Sequence, residues 1–349
     1  INILTIALCA IVAGAEGWTD VANFGRQKEG WLGQFLDLEN GIPSHDTFGR
    51  VFARLDAEAF RQSFLSWVQA VFTVTSGQVV AIDGKTLRRS HDKGLGKEAI
   101  NMVSAWATAN HLVLGQVKVA SKSNEITAIP ALLAMLEVSG CIVTVDALGT
   151  QKEVAEQIIK QGGDYLLPVK ENQPHLHEDI QLFFKLAKQN DFSKVTHTYK
   201  RAVNSGHGRV EIRECWAISG KESLAFVRGH GDWLNLQCIV MITSERRIDE
   251  QVERQTQYFI TSLKNDAGAI LAAKRAHWGV ENQLHWVLDV AFREDDSRVR
   301  KGNADQNLAV MRHMALNLLK HEKTAKGGIK AKRLQAAWNE NYLVKVLTG

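Results

Sequence analysis

An aspartate follows an apolar, strand-like run in the stretch "QVVAIDGKTLRRS", residues 78–90. The run at 79–82 predicts a buried strand, and Asp83 stands at its end, directly before Gly84. A lone Asp-Gly pair is typical of a turn, so a turn with a basic, solvated face is the simplest interpretation. The basic residues that follow instead fit the binding of a polyanion: Lys85, Arg88 and Arg89.

The stretch "CIVTVDALGTQ", residues 141–151, repeats this pattern, with Asp146 at the end of an apolar run. Neighbouring strands lie about 4.8 Å apart, so parallel strands with flush ends would place Asp83 and Asp146 side by side. Adjacent carboxylates repel each other unless a divalent cation accepts oxygen ligands from both. Two such cations about 4 Å apart serve in-line attack at phosphate. The two aspartates therefore predict a metal-dependent phosphoryl-transfer site.

A third acidic ligand is expected in "KRAHWGVENQLHWVLDVAFREDDSRVR", residues 274–300. On a helix, four polar residues at spacings of four would form one stripe: His277, Glu281, His285 and Asp289. A solvated helical face gives a similar stripe, and a zinc site from the first three residues is an alternative. Glu281 is the expected ligand, and two acids in a charged, loop-like stretch are its rivals: Asp295 and Asp296.

The elements that must position these acids follow from the apolar patterns. Residues 1–75 have helical periodicity, with Ser44 as a helix N-cap; that helix either packs in the core or contacts DNA as part of a helix-turn-helix. Strand and helix patterns alternate from 77 to 170, which predicts an α/β sheet. Residues at about 195–262 are strand-rich and predict a β-rich insertion. The predicted domains are 1–75 and 76–349.

Composition narrows the class of protein. The 349 residues are 45% hydrophobic and 23% charged, as in soluble globular proteins. A net charge of +4 permits a polyanionic partner. The four cysteines form no CxxC pair, which excludes a zinc knuckle and fits a reducing compartment. The apolar opening, 3–15, is shorter than the run of about 18 that spans a bilayer, and it predicts a buried helix and no membrane segment.

The order Asp83, Asp146, Glu281, with a β-rich segment before the glutamate, resembles the DDE transposases of bacterial insertion sequences. More closely, the chain resembles the H-repeat-associated transposases, over residues 4–320. The stretches that carry this resemblance are "GIPSHDTFGRVFARL", "AIDGKTLRRS", "VTVDALGTQ", "DYLLPVKENQ", "HGRVEIRE", "HWGVENQLHWVLDVAFREDDSR" and "NADQNLAVMRHMALNLL".

The resemblance implies an α/β, RNase H-like catalytic domain at 76–349 behind a small helical transposase-associated domain at 1–75. It implies that Asp83, Asp146 and Glu281 hold Mg²⁺, with Mn²⁺ as a substitute, for cleavage and strand transfer of double-stranded DNA. The expected DNA is the element's terminal repeats and its target. A homodimer on DNA and a place at the nucleoid in the bacterial cytoplasm are also expected.

Nine residues are expected to contact DNA, from the basic clusters or from the resemblance: Lys85, Arg88, Arg89, Lys170, Arg209, Arg213, His277, Asn282 and Arg298. Related transposases carry a Tyr-x2-Arg-x3-Glu-x6-Lys signature around the glutamate. Here those positions hold Lys274, His277, Glu281 and Leu288. Histidine lacks the bidentate fork of arginine, so His277 is expected to hold a phosphate less strongly.

Two other functions compete with transposition. One is an element-derived DNA-binding protein that is folded but catalytically inactive, against which the intact triad argues. The other is a nuclease of the same fold that cuts DNA without rejoining it.

In "HGRVEIR", a period of two places His207, Arg209, Glu211 and Arg213 on one strand face, which either follows a DNA backbone or faces water.

Overall fold

The computed structural model describes residues 1–71, 77–91, 99–119, 125–206 and 208–348. These residues belong to two compact units. The helical unit comprises Ile1–Thr73, Gly84–Asn124 and Val280–Gly349, and the sheet unit comprises Val74–Asp83 and Glu125–Gly279. Each unit is described by itself below.

The described residues contain nine strands: β1 (Val79–Thr86), β2 (Asn101–Ala107), β3 (Leu112–Lys118), β4 (Ile142–Thr144), β5 (Asp164–Val169), β6 (Thr196–Gly206), β7 (Arg209–Ser219), β8 (Cys238–Ile248) and β9 (Gln251–Thr261). They also contain fourteen α-helices: α1 (Asn2–Val12), α2 (Trp18–Gln27), α3 (Glu29–Leu32), α4 (His45–Arg54), α5 (Ala57–Val71), α6 (Glu125–Leu133), α7 (Lys152–Lys160), α8 (Pro174–Gln189), α9 (Lys221–Ala225), α10 (Ala267–His277), α11 (Trp286–Phe292), α12 (Ala304–His321), α13 (Ile329–Trp338) and α14 (Glu340–Thr348).

In the sheet unit the strands follow the order β1-β4-β5-β9-β8-β7-β6. β1, β4 and β5 are parallel, with Ala81 opposite Thr144 and Thr144 opposite Leu166. The apolar run at 79–82 is buried throughout, as expected for a parallel strand that is covered on both faces. β9 joins this group antiparallel to β5, so the sheet is mixed.

The predicted β-rich insertion is confirmed as the antiparallel series β6 to β9, in which every strand is 11 residues long. It extends the parallel strands, because β9 pairs with β5 from Leu166↔Thr261 to Val169↔Tyr258. Side chains strengthen this junction: the Thr261 hydroxyl donates to the Tyr165 carbonyl at 2.6 Å, and the Ser262 hydroxyl accepts from the Tyr165 N–H at 2.9 Å.

The helix α10 covers the strands of the sheet unit with small and branched apolar residues. Ala267, Ile270, Leu271 and Ala273 form one core cluster with Leu166 and other strand residues. The Asp266 carboxylate caps the start of α10 by accepting from the N–H groups of Gly268 and Ala269, at 2.8 and 3.0 Å. At the other end of α10, His277 contacts Thr144, the last residue of β4.

The helical unit contains the hairpin of β2 and β3 and packs around α12. Ser44 caps α4 as predicted, because its hydroxyl accepts from the Thr47 N–H at 3.3 Å. In "NADQNLAV", the Asn307 amide donates to the carbonyls of Phe52 and Leu55 at the end of α4, at 2.9 and 3.0 Å. Asn317 exchanges two 2.9 Å hydrogen bonds with the main chain of Val113 in β3. Asn307 and Asn317 therefore bind α12 to the end of α4 and to β3.

The helix considered after residue 274 differs from the structure. The stretch after residue 274 is broken: α10 ends at His277, a π-helical turn spans Val280–His285, and α11 begins at Trp286. A π-helical turn uses i→i+5 hydrogen bonds, which a search for helical periodicity does not detect.

The domain boundary at residues 75 and 76 stays a prediction. Among the described residues, every helix falls short of the length and apolarity that crossing a bilayer requires.

Candidate active site

Asp83 and Asp146 lie just beyond the paired part of two adjacent parallel strands. Asp146 follows β4, whereas Asp83 lies within β1, which continues to Thr86 instead of ending at the aspartate as expected. Ala81 pairs with Thr144, and each aspartate stands two residues beyond its paired residue. Both aspartates are half-buried. The pairing predicted from the two strand-then-aspartate patterns is therefore present in the sheet unit. Carboxylate oxygens are the ligands that Mg²⁺ and Mn²⁺ prefer, so these two residues fit a divalent cation.

A tight turn fixes the position of Asp146. Its Oδ1 accepts a hydrogen bond from the Gly149 N–H at 2.9 Å. The Thr150 hydroxyl, one residue further on, donates to the Pro168 carbonyl at 2.7 Å and ties the turn to β5. The chain packs closely here, because a Cβ added at Gly149 would lie 2.6 Å from Ile129 Cδ1 and 2.9 Å from Val145 Cβ. The glycine thus permits the turn that orients the aspartate.

Gly149→Ala is expected to destabilise the protein by about 1–3 kcal/mol, because the added methyl overfills this turn. Urea denaturation measures the change in the free energy of unfolding. Gly30→Ala is the matched control, since a Cβ at Gly30 meets nothing within 4 Å and alanine favours its helix α3. Equal stability of both variants with the parent would contradict the close packing at Gly149.

Two amide side chains beyond β5 hold the same loop. The Asn172 Nδ2 donates to the Ala147 carbonyl at 2.5 Å, and the Gln173 Nε2 donates to the Thr150 carbonyl at 3.0 Å. Both residues belong to the stretch "DYLLPVKENQ". These hydrogen bonds give both amides a role in positioning the loop that follows Asp146.

A cavity of about 180 Å³ opens beside Asp146 within the sheet unit. Its wall includes Lys170, Lys274, His277 and Trp278. The His277 Nδ1 lies 2.9 Å from the Thr144 hydroxyl, so α10 is linked to β4 two residues before the aspartate. Burial, aided by the nearby charges of Arg213 and Arg275, lowers the pKa of Lys274 to about 8.

The Lys274 ammonium also lies 5.8 Å from the centroid of the Trp278 ring. This distance permits a cation–π interaction. Lys170 is exposed at the rim of the same cavity. The surroundings of Asp146 are therefore cationic, which suits an anionic substrate.

The strand face predicted in "HGRVEIR" is present in β7. The Arg209 Nε lies 3.0 Å from Glu211 Oε1, and Arg213 also forms an ion pair with Glu211. The three side chains therefore share one face, as a period of two requires. His207 lies outside the described residues. DNA contact by Arg209 and Arg213 stays a prediction.

Glu281 lies in the π-helical turn of the helical unit, and 57% of its side chain is exposed. The buried His285 Nδ1 lies 3.3 Å from Glu281 Oε2, so these two residues of the predicted polar stripe are in contact. Burial, aided by the nearby Lys85 charge, lowers the pKa of His285. Asn282, the next residue of the turn, is exposed.

The other acids near Glu281 in the chain form ion pairs with basic residues that follow Asp83. Lys85 Nζ lies 2.5 Å from Asp289 Oδ1 and 3.0 Å from Glu294 Oε2. The two rivals of Glu281 pair with exposed arginines at 3.3 Å each: Asp295 with Arg88, and Asp296 with Arg89. Arg298 is exposed and lines a surface cavity of about 430 Å³ with Arg89 and Arg293.

Comparison with known proteins identifies the family. The profile described as "Transposase DDE domain" matches residues 75–318, and the profile described as "DDE_Tnp_1-associated" matches residues 1–68. The chain belongs to the DDE transposase family. Its catalytic domain is accordingly RNase H-like, as the fold prediction held. The family has DNA as its partner and comprises DNA-cleaving enzymes, whose domains generally use a divalent metal.

Two relatives from Escherichia coli match the chain over its whole length. The chain is 41% identical to the "H repeat-associated putative transposase YhhI" of strain K12, with 100% of this chain and 92% of the relative covered. It is also 41% identical to the "Putative transposase YncI" of O157:H7, with 100% and 89% covered. The suspected relationship to H-repeat-associated transposases is thus confirmed within the DDE family.

Proposed function

We propose that this protein is the transposase of a bacterial insertion sequence and that it cleaves and joins DNA strands with a metal-dependent DDE site. The observation that carries the proposal is the placement of Asp83 and Asp146 just beyond the paired part of adjacent parallel strands, in a chain of the DDE family. Two neighbouring carboxylates are the oxygen ligands that a divalent cation requires, and a bound cation offsets their mutual repulsion.

We assign the third acid of the site to Glu281. Its position in the chain, after the β-rich segment, agrees with the order of acids in the family. Its carboxylate is largely exposed and is oriented by the buried His285. The carboxylates of Asp295 and Asp296 instead neutralise arginines, which makes them weaker choices for a ligand.

Bound to these carboxylates, Mg²⁺ or Mn²⁺ would activate a hydroxyl nucleophile and stabilise the charge that develops on the phosphate. The chain itself orients the ligands and the substrate. Gly149 holds the Asp146 carboxylate through its N–H, and His285 holds that of Glu281. A DNA phosphate beside Asp146 meets Lys170 and Lys274 on the cavity wall. The attacking groups would be water for cleavage and the 3′-hydroxyl of DNA for strand transfer.

The remaining proposed DNA contacts divide by exposure. Five of them have exposed side chains, and their proposed part is to contact the phosphate backbone directly: Arg88, Arg89, Arg209, Asn282 and Arg298. Arg213 and His277 are half-buried and engaged in contacts with Glu211 and Thr144. Their proposed part is to hold the surface that DNA contacts. We further propose that the protein acts as a homodimer on its terminal repeats, in the bacterial cytoplasm at the nucleoid.

An assay of cleavage and strand transfer tests this function. The purified protein is incubated with labelled duplexes that carry the candidate ends of its element, with Mg²⁺, with Mn²⁺ or with EDTA. We expect end-specific cleavage and joined products with either metal, and neither in EDTA. Cleavage without joining would identify a nuclease. Binding to the ends without cleavage in either metal would identify an inactive DNA-binding protein.

A further inference from the structure

Lys85 stands two residues after Asp83 and belongs to the helical unit. Only 11% of its side chain is exposed. Three carboxylates surround its Nζ: Asp289 at 2.5 Å, Glu294 at 3.0 Å and Asp295 at 3.8 Å. Lys85 is therefore a cation held by internal acids.

Glu294 extends this group of charges to α12. Its Oε1 lies 3.9 Å from Nη1 of Arg312, and the two side chains are only 2% and 3% exposed. Burial raises the pKa of Glu294, but the charges of Lys85 and Arg312 outweigh it, so the carboxylate stays ionised. The neighbouring His313 remains neutral, since burial lowers its pKa to about 4. Glu294 thus joins Lys85 and Arg312 in one buried group of charges, to which Asp289 also belongs.

Buried charges of this kind are costly. Removing ions from water costs several kcal/mol each, and well-packed apolar residues often stabilise a fold as much as a buried ion pair does. In some proteins such a pair instead fixes the geometry of the elements that it joins, because an unpaired buried charge is strongly destabilising. The group connects three elements near the proposed ligands: the end of β1 after Asp83, the residues that follow α11, and α12.

The same group reaches the π-helical turn. His285, which contacts the Glu281 carboxylate, is a buried residue of this turn. α11, which carries Asp289, follows directly on this turn at Trp286. A shift of Lys85 or Glu294 would therefore disturb both the strand end behind Asp83 and the support of Glu281.

We propose that Lys85, Glu294 and Arg312 are positioning residues that hold the proposed metal ligands in place. Lys85 would then help to position the metal ligands from inside the protein, whereas Arg88 and Arg89 would contact the DNA. This inference rests on the proposed function of the site. It differs from the expectation that Lys85 binds DNA, because a phosphate would have to displace three carboxylates from a buried ammonium group.

Glu294→Gln tests the proposal, since it keeps the shape of the side chain and removes its charge. We expect the affinity for Mn²⁺, measured by calorimetry on the free protein, to fall by about 10–100-fold, as is usual when the support of a metal ligand is removed. The rate of Mn²⁺-dependent cleavage should fall by a similar factor. The affinity for DNA in EDTA should change by less than about twofold, because exposed arginines set it.

The matched control is Glu322→Gln. Glu322 is a buried acid of the same unit, with 1% of its side chain exposed, and it contacts Lys332, Tyr342 and Thr324 at the end of α12. This variant should lose stability as Glu294→Gln does, but it should keep the Mn²⁺ affinity of the parent. A change in Mn²⁺ affinity that is equal in both variants would show a general effect on folding and would overturn the proposal.

Lys85→Met and Lys85→Arg give a second measurement. Lys85→Arg keeps the charge and should retain most of the Mn²⁺ affinity, whereas Lys85→Met should lose it. If Lys85→Met instead loses DNA affinity and keeps Mn²⁺ affinity, Lys85 is a DNA contact and the inference is wrong. If the parent binds Mn²⁺ but cleaves no DNA, the proposed function fails while the comparison of Mn²⁺ affinities still decides this inference. A parent that binds no Mn²⁺ overturns both.

Discussion

Glu281→Gln is expected to abolish metal-dependent DNA cleavage, with a loss of about 10³-fold or more, as for the removal of an essential catalytic group. The substitution keeps the length of the side chain and a hydrogen-bond acceptor for His285, so the π-helical turn should persist. DNA binding in EDTA should stay within about twofold, because it depends on cations and not on this acid. Cleavage of labelled terminal-repeat DNA and a gel-shift titration provide the two measurements.

Asp296→Asn is the comparison for this variant. Asp296 is another acid of the same region, and its partners are the exposed side chains of Arg89 and Arg293. We expect Asp296→Asn to retain cleavage within a few-fold, since exposed ion pairs contribute little. The reverse result, with Glu281→Gln active and Asp296→Asn inactive, would transfer the role of third ligand to Asp296.

Asp146→Asn should be as damaging to cleavage, with a loss of about 10³-fold or more. The asparagine oxygen can still accept from the Gly149 N–H, so the turn is retained and only the charge is lost. A carboxamide is a much weaker ligand for a divalent cation than a carboxylate, so the affinity for Mn²⁺ should fall as well. Single-turnover cleavage and calorimetric Mn²⁺ binding separate the two effects.

Asp164→Asn controls for the loss of an acid from the same parallel strands. Asp164 begins β5, at the end of the strand opposite to Val169, and accepts from the Ser262 hydroxyl at 2.7 Å. This variant should cleave DNA at nearly the parental rate. If Asp146→Asn keeps full activity while Asp164→Asn loses it, the assignment of the site to this end of the sheet is wrong.

Sequence patterns predicted the framework of the site well, for a local reason. Short apolar runs that are buried on both faces indicate strands, and an acid directly follows each of the two runs. Asp83 and Asp146 were therefore paired correctly before the register of β1 and β4 was known. The β-rich segment was equally visible, because its strand-like stretches follow one another along the chain.

Other features depended on partners that are distant in the chain. Lys85 resembled a DNA contact because its near neighbours are basic, whereas its carboxylate partners lie 204 and 209 residues away. The hydrogen bonds of Asn172 and Gln173 cross between loops that follow separate strands. The tightest contact at Gly149 comes from Ile129 of α6, and no local pattern shows it. Long-range packing therefore decided what each of these residues does.

The hydrogen bonds of Asn172 and Gln173 end on main-chain carbonyls, and this has a consequence for protein engineering. Every amino acid at position 147 or 150 offers the same carbonyl, so the anchoring tolerates a change of side chain at Ala147. The side chain of Leu148, between Ala147 and Thr150 in the chain, is 52% exposed and can be replaced in the same way. A library of variants at positions 147 and 148 can thus search for altered target preference while Asp146, the proposed metal ligand, keeps its place.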